Sequence, residues 1–363
     1  MPETTSRDHA GFVVAGLGKM GIMHAAMLGV IPGGRVAALV DRDERHAEHV
    51  RSMGIDAPVF GDLAACLDAL RPEGVFITTP TFTHRSLFEL CLTREIPAFC
   101  EKPLAPTLAD AQAMVQAARA RPQLPVAVGF MLGHNPLFRK AADLLRRGVP
   151  GRIRSFRAVC RLSQVFSPKK GWTFTREQAG GGVLINSGCH LLFVLDLLFG
   201  PPRSVFARAS GVHNPVEDTL AALLEYPDGL WGTVEVTWSV PGHELQCHDI
   251  EVIGTQGTLE VGNDVLRLWL SQKHEEYPAG WSLWPRAALE PRAPFNLSPD
   301  YCGDEFYLEV RDFVDAVRRQ RPPRVGLDDA LRVQTLIDAI YRSAEQRAPV
   351  SLAPPREAAH DAD

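Results

Sequence analysis

Apolar positions in the first third of the chain fall into two alternating patterns. Short, mostly apolar runs at 12–15, 35–40, 75–79, 98–100 and 126–130 predict strands. Between them, apolar residues recur at helical spacing over 19–28, 62–70, 84–93 and 108–120. Strands separated by helices predict a parallel sheet with helices on both faces. After His134-Asn135-Pro136 the pattern changes. One helix at 137–147 is followed by strand-like runs at 153–162, 204–209, 220–226, 230–240, 249–253, 258–261 and 266–270. Tyr226-Pro227-Asp228-Gly229-Leu230 is a hairpin signal, because Asp-Gly suits a tight turn. Gly254-Thr255-Gln256-Gly257 marks a second turn. Strands joined by turns predict a largely antiparallel sheet, here of about six strands. Two helices close the chain, one with Phe306, Val310, Phe313, Val314 and Val317 at helical spacing, the other with Val333, Leu336, Ile337 and Ile340.

The 271–303 stretch carries Trp281, Trp284 and several prolines without a regular period. It reads as a long functional or contact loop that reaches towards a neighbouring subunit. Residues 353–363, with Pro354-Pro355, read as a frayed tail. Few helices remain to cover both faces of the second sheet. An uncovered apolar face predicts a homodimer or homotetramer.

Composition narrows the class without naming it. A chain of 363 residues has room for two domains. A net charge of −5 disfavours nucleic acid or an anionic membrane as partner. The first apolar run, Phe12-Val13-Val14-Ala15, ends in a glycine turn and so reads as a strand, not a signal peptide. No stretch reaches the roughly 18 unbroken apolar residues of a membrane span. The seven cysteines never fall in a CxxC pair, which disfavours a disulfide scaffold and a zinc site. The expectation is a cytoplasmic enzyme with reduced thiols and no metal.

Three motifs carry the chemistry. Gly16-x-Gly18-x-x-Gly21 follows a strand and opens a helix. The first glycine permits the tight turn, the second lets backbone approach a pyrophosphate, and the third allows close packing of helix on strand. Lys19 and Met20 lie in that turn, where the helix N-terminus favours an anion. Asp41 closes the second strand, placed to accept hydrogen bonds from adenosine ribose hydroxyls and to repel a 2′-phosphate. Arg42 beside it could pair with that phosphate, so NAD is favoured and NADP is the lesser reading. Glu101-Lys102-Pro103 ends a later strand of the same sheet. An ammonium there can polarise a reacting oxygen. Gly180-Gly181-Gly182 is followed by Asn186 and His190, which share one face if the segment is an α-helix. His190 suits a general base and Asn186 a substrate-holding or orienting group. Cys247-His248 with His243 lacks metal-ligand spacing, and strand alternation accounts for them.

Taken together, Gly16-Leu17-Gly18-Lys19-Met20-Gly21-Ile22-Met23-His24, Thr79-Pro80 with His84, Glu101-Lys102-Pro103 and the 180–190 segment resemble the Gfo/Idh/MocA oxidoreductases. The later strands and the Glu309-x-x-x-Phe313 helix are similar too. The resemblance implies an N-terminal Rossmann dinucleotide-binding domain over 1–130. It implies a C-terminal α+β domain with a large open-faced, mostly antiparallel sheet over 131–352, for substrate binding and oligomerisation. It places Thr79 and Pro80 beside a nicotinamide cofactor, His84 there or in a structural role, Glu101 where it orients Lys102 or the nicotinamide ribose, and Trp172 in a loop that roofs the active site. It also implies a sugar, amino sugar, cyclitol or related polyol substrate. The chain departs from the family pattern at three positions: Asn186 and Phe193 stand where aspartate is usual, and Thr81 where asparagine is common. The reaction expected is hydride transfer between NAD and a secondary alcohol or ketone. One alternative is a tightly held cofactor used in redox-assisted glycoside cleavage or coupled sugar chemistry. The other is a nucleotide-binding sensor, which would have no use for Lys102 and His190.

Overall fold

The computed structural model describes residues 11–294 and 303–352; the expected tail at 353–363 lies outside them. The apolar runs of the first part become buried parallel strands. In chain order the elements are β1 (Phe12–Ala15), α1 (Lys19–Val30), β2 (Val36–Val40), α2 (Glu44–Ser52), β3 (Val59–Phe60), α3 (Leu63–Ala69), β4 (Gly74–Ile77), α4 (His84–Thr93), β5 (Ala98–Cys100), α5 (Leu108–Arg119) and β6 (Val126–Val128). Their spatial order is β3-β2-β1-β4-β5-β6, with every pair parallel. This is the doubly wound Rossmann order, in which ligands bind at the carboxyl ends of β1 and β4, where the strand order reverses. Sequence reading missed α2 and β3. In α2 only Ala47 and Val50 are buried among charged residues, so no apolar period shows. β3 is two residues long.

The second part comprises α6 (Pro136–Arg146), β7 (Ile153–Arg161), α7 (Arg176–Ala179), α8 (Cys189–Phe199), β8 (Ser204–Ser210), β9 (Thr219–Glu225), β10 (Trp231–Thr237), β11 (Cys247–Gly254), β12 (Gly257–Val261), β13 (Val265–Leu270), β14 (Gly280–Pro285), α9 (Gly303–Arg319), α10 (Leu327–Gln346) and β15 (Val350–Ser351). Nine strands run in the order β14-β13-β12-β11-β7-β10-β9-β8-β15. Only β7 and β10 pair in parallel. The expectation of about six strands is therefore low. β14 lies inside the 271–303 stretch read as a loop, and pairs antiparallel with β13. Its alternation was hidden because Trp284 points inward beneath Lys140, whose ammonium is 4.6 Å from the ring centre, while Trp281 and Leu283 face out.

One face of this sheet packs against α6, α8 and α10. The run 176–199 is apolar and long enough to cross a bilayer by composition, but it is mostly buried inside the fold as a core helix. The opposite face carries an apolar row. Trp231, Ser155, Ile253, Thr258, Trp269 and Trp281 are successive cross-strand partners on six adjacent strands. Both Trp231 and Trp281 are about half exposed, at 49% and 58%.

α9 returns to the first sheet. Its Phe313 ring lies 6.0 Å from Phe12, 5.1 Å from Phe76 and 5.8 Å from Phe99. All four rings are fully buried. Phe313→Ala would remove the centre of this cluster, at a cost of about 3–5 kcal/mol. The contact fixes α9 under the β5 loop that carries Lys102.

Candidate active site

The glycine turn is held by contacts that exclude side chains. Gly16 has φ +96°, and a Cβ there would lie 2.7 Å from the Thr79 nitrogen. A Cβ on Gly21 would strike the Gly16 carbonyl. At Gly18 a Cβ would meet nothing within 4 Å, so the cradle in front of it is open. No side chain caps α1, and its first N–H groups face this opening. Lys19 and Met20 begin that helix, Lys19 exposed and Met20 half-buried. Open space and an uncapped helix N-terminus are what a dinucleotide pyrophosphate requires, so these residues fit the expected cofactor.

Asp41 follows β2 and is oriented by the backbone. It accepts from Leu17 N–H at 2.7 Å and Asp43 N–H at 2.8 Å, and His46 Nδ1 lies 3.2 Å away. Arg42 is exposed next to it. On the β4 side, the Thr78 hydroxyl sits 2.7 Å from Gly16 O and ties the two strand ends together. Thr79 and Pro80 follow at the cleft, with the Thr83 hydroxyl 2.6 Å from Thr79 Oγ1.

His84, expected near the nicotinamide or in a structural role, is 1% exposed, and both ring nitrogens face backbone carbonyl oxygens. Nε2 meets Thr79 O at 2.9 Å and Nδ1 meets Pro103 O at 3.1 Å. It packs between the β4 loop and the Lys102 loop, and the neutral ring donates to one of these two carbonyls.

Glu101 and Lys102 leave β5 in different directions. Glu101 is buried, and its carboxylate accepts from His24 Nε2 at 2.7 Å and from Lys102 N–H at 3.1 Å. The half-buried Lys102 donates from Nζ to the Asn186 carbonyl at 2.9 Å. The Lys102–Pro103 peptide is cis.

The glycine run is equally constrained. The buried Glu217 carboxylate accepts from Gly182 N–H at 2.9 Å, Leu184 N–H at 3.1 Å and the Tyr341 hydroxyl at 2.8 Å. The segment that follows is not the plain α-helix expected. Leu184–Gly188 is a π-helical turn, and α8 starts only at Cys189. Such turns free backbone carbonyls and concentrate at functional sites. Here side chains take them up. Asn186 O accepts from Lys102, and Ser187 O from Gln246 Nε2 at 3.3 Å. Trp238 Nε1 donates to Ser187 Oγ at 2.8 Å. Sequence reading missed Trp238 and Gln246; no period or motif marks them, because their contact with the turn is made only when β10 and β11 fold beneath it.

Asn186 is half-buried, and its side-chain amide bonds to no group among the described residues. His190 is 3% exposed, with Nδ1 sealed and without a partner among them. Its ring packs edge-on against Phe130 at 6.0 Å and His248 at 6.2 Å. Burial pushes the imidazole well below its ordinary 6.5, and Lys102 and then His248 push the same way. His190 is therefore a neutral base at physiological pH. Phe193, where the family favours aspartate, stacks on Phe130 at 4.9 Å and supports that apolar wall. His248 sits behind, with Nδ1 3.1 Å from Asn263 Oδ1 and Nε2 2.9 Å from Gln246 Nε2. Burial lowers it to about 4.

Trp172 lies on a short 3₁₀ turn, and its ring is 6.4 Å from Phe82 of the β4–α4 loop. It spans from the second part of the chain to the first. The site thus unites Gly16–Gly21, Asp41, Thr79, Lys102, Asn186 and His190 by elements whose strand ends and turns face one another.

Known proteins with these features are informative. Residues 10–130 match the oxidoreductase family model with an NAD-binding Rossmann fold, and 138–260 match the GFO/IDH/MocA C-terminal domain. D-apiose dehydrogenase of Paraburkholderia graminis is 28% identical over 334 residues, covering 89% of this chain and 84% of that protein. Inositol 2-dehydrogenase of Streptomyces avermitilis is 27% identical, covering 95% of each. GenD2 from gentamicin A biosynthesis, solved in complex with NAD, is 28% identical with a TM-score of 0.78, covering 98% of this chain and 99% of that one. Levoglucosan dehydrogenase with NADH and levoglucosan shares the fold at a TM-score of 0.83 and 22% identity, covering 94% of this chain and 98% of that one.

Proposed function

The chain belongs to the GFO/IDH/MocA family of NAD-binding oxidoreductases, and on that premise we propose that it oxidises a secondary alcohol of a sugar, amino sugar or cyclitol, or reduces the matching ketone. The observation that carries the reading is the bond from Lys102 Nζ to the π-turn that bears Asn186 and leads to His190. It gathers a cation, an unpaired amide and a neutral imidazole in one cleft with the open cradle at Gly18.

NAD, when bound, accepts a hydride from the carbinol carbon. Gly16, Gly18 and Gly21 admit its pyrophosphate, and Asp41 holds the adenosine ribose in preference to a 2′-phosphate. Lys102 keeps donors beyond the one given to Asn186 O. It directs them at the substrate oxygen and lowers the cost of alkoxide character there. His190 takes the hydroxyl proton at Nε2, since Nδ1 is sealed. The Asn186 amide donates to and accepts from a neighbouring hydroxyl, which suits a polyol. Trp172 covers the cleft and excludes water. Relatives named for apiose and inositol support the substrate class. Incubating the purified protein with NAD and a panel of sugars, aminoglycosides and inositols, and following the absorbance of reduced nicotinamide, tests the reading. Turnover of at least one such alcohol is expected; no turnover across the panel with either NAD or NADP contradicts it.

The enzyme works as a homodimer or homotetramer joined through the open sheet face. The apolar row from Trp231 to Trp281 supports this, as does the neighbouring row in which Arg157 and Arg267 flank Glu251 and Glu260. A two-fold contact needs such self-complementarity. Light scattering after size exclusion should give a multiple of 39.8 kDa; a monomer at micromolar concentration overturns the assembly. The six cysteines among the described residues are free thiols, which fits a reducing cytoplasm.

A further inference from the structure

α1, the β5 loop and α9 meet beneath Lys102 in three titratable groups that hydride transfer does not use. His24, Glu101 and Glu309 each bring a nitrogen or carboxylate oxygen within 4.8 Å of the others. They are 0%, 5% and 2% exposed. Aromatic rings surround them: His24 lies 5.0 Å from Phe99 and 5.5 Å from Phe76. Phe313, one turn beyond Glu309 on α9, packs on both.

Their hydrogen bonds are uneven. Glu101 accepts from His24 Nε2 and from the Lys102 N–H, the donor set of a carboxylate. Glu309 accepts from nothing among the described residues, although both of its oxygens are buried, and His24 Nδ1 is equally without a partner. A buried charge with no donor is costly, and two adjacent carboxylates in an apolar pocket do not both ionise. One proton on Glu309 resolves both problems. It removes the second charge and supplies the donor that the pocket lacks.

We propose that His24, Glu101 and Glu309 form a buried triad in which the two carboxyls share one proton, held on Glu309, and that the triad positions the Lys102 loop. Glu309 on α9 lies within 4.8 Å of His24 and Glu101, His24 is bonded to Glu101, and Glu101 to the backbone of Lys102. Burial drives Glu309 well above the ordinary carboxyl value, Glu101 adds to it, Lys102 opposes it, and Glu305 adds a smaller push from the same helix. Glu305 is itself tied to Arg286 at 3.1 Å. The positioning role rests on the reading that Lys102 acts on the substrate; the protonation state does not.

The first test is Glu309→Gln, which keeps the shape and is neutral at every pH. A carboxyl whose folded value is raised costs the wild type stability as pH rises above the unfolded value of 4.5. The thermal midpoint of E309Q should therefore gain on the wild type from about pH 4.5 to neutral. A constant gap, or one that grows in favour of the wild type, overturns the shared proton. The second test compares kcat. Glu309→Leu removes the donor, and its kcat should fall about tenfold at unchanged affinity for NADH, as expected for a slightly misplaced catalytic group. E309Q should keep most of kcat. Equal kcat in the two variants overturns the positioning role. The same donors could ligate a divalent cation, so elemental analysis of the wild type is the third arm: about one equivalent of metal, absent from E309Q, overturns the proposal. If Lys102 proves dispensable, only the kcat arm fails, which separates this inference from the proposed function.

Discussion

The Lys102 ammonium bonds the main-chain carbonyl of Asn186, not its side-chain amide. Any residue at 186 can hold Lys102 in place as long as the π-turn survives. The amide has no partner among the described residues, and the proposed role for it is to hold substrate. Asn186→Ala should thus act mainly on KM, raising it up to about tenfold, the scale of one uncharged hydrogen bond. A loss of kcat as deep as that of a Lys102 substitution would show that the side chain serves the lysine instead.

His190, as the proposed base, should set the pH profile of oxidation. Burial and Lys102 hold its imidazole well below 6.5, so the base is active down to mildly acid pH and the rising limb of kcat/KM lies on the acid side of 6.5. Asn186→Asp adds an anion, which favours imidazolium and should move that limb to higher pH. An unmoved limb, or a wild-type profile retained in His190→Ala, contradicts the assignment.

Asp41 should enforce NAD over NADP. Its carboxylate is fixed by Leu17 and Asp43 N–H groups, so it cannot swing away from a 2′-phosphate. Asp41→Ser should narrow or reverse the preference, with Arg42 then able to take the phosphate. Equal dissociation constants of the wild type for the two cofactors count against this reading.

Acid should unfold the protein early. His84, His134, His190 and His248 are buried, and burial lowers each of them, His134 to about 3 and His248 to about 4. The unfolded chain binds protons at these groups below 6.5 where the native state does not. Stability is therefore present above 6.5 and is lost as pH falls towards about 4, each histidine contributing up to about 1.4 kcal/mol per pH unit. The raised carboxyls of Asp196, Glu217, Glu305 and Glu309 act in the opposite sense over the same window, so the test compares slopes: the urea midpoint of His248→Gln should fall less steeply from pH 6.5 to about 4 than that of the wild type, and an equal slope would contradict the neutral state of His248.

The strand–turn–helix of the cofactor cradle was legible in the sequence because glycine spacing and apolar runs are local signals. Lys102 was legible for the same reason: a motif at a strand end. The π-turn was not. It arises because Trp238, Gln246 and Lys102 converge on Asn186 and Ser187 from strands and loops distant in sequence, and no periodicity of the 180–190 segment records that. The sequence left His84 open between a cofactor and a structural role because the direction of its ring depends on carbonyls of Thr79 and Pro103 that only the fold brings beside it. β14 was hidden because its apolar residues fall on both faces, Trp284 inward and Trp281 and Leu283 outward, and His24 and Glu309 come together from opposite ends of the chain.

The central claim is that Lys102, held by the Asn186 carbonyl, polarises the reacting oxygen. It is tested most directly by single-turnover formation of reduced nicotinamide in Lys102→Met, with cofactor affinity measured alongside. The account predicts a fall of about 10²-fold or more in the rate of hydride transfer, the scale of losing one donor to a developing oxyanion, at nearly unchanged affinity for NAD. A variant that keeps more than a third of the wild-type rate would remove Lys102 from the chemistry and contradict the account.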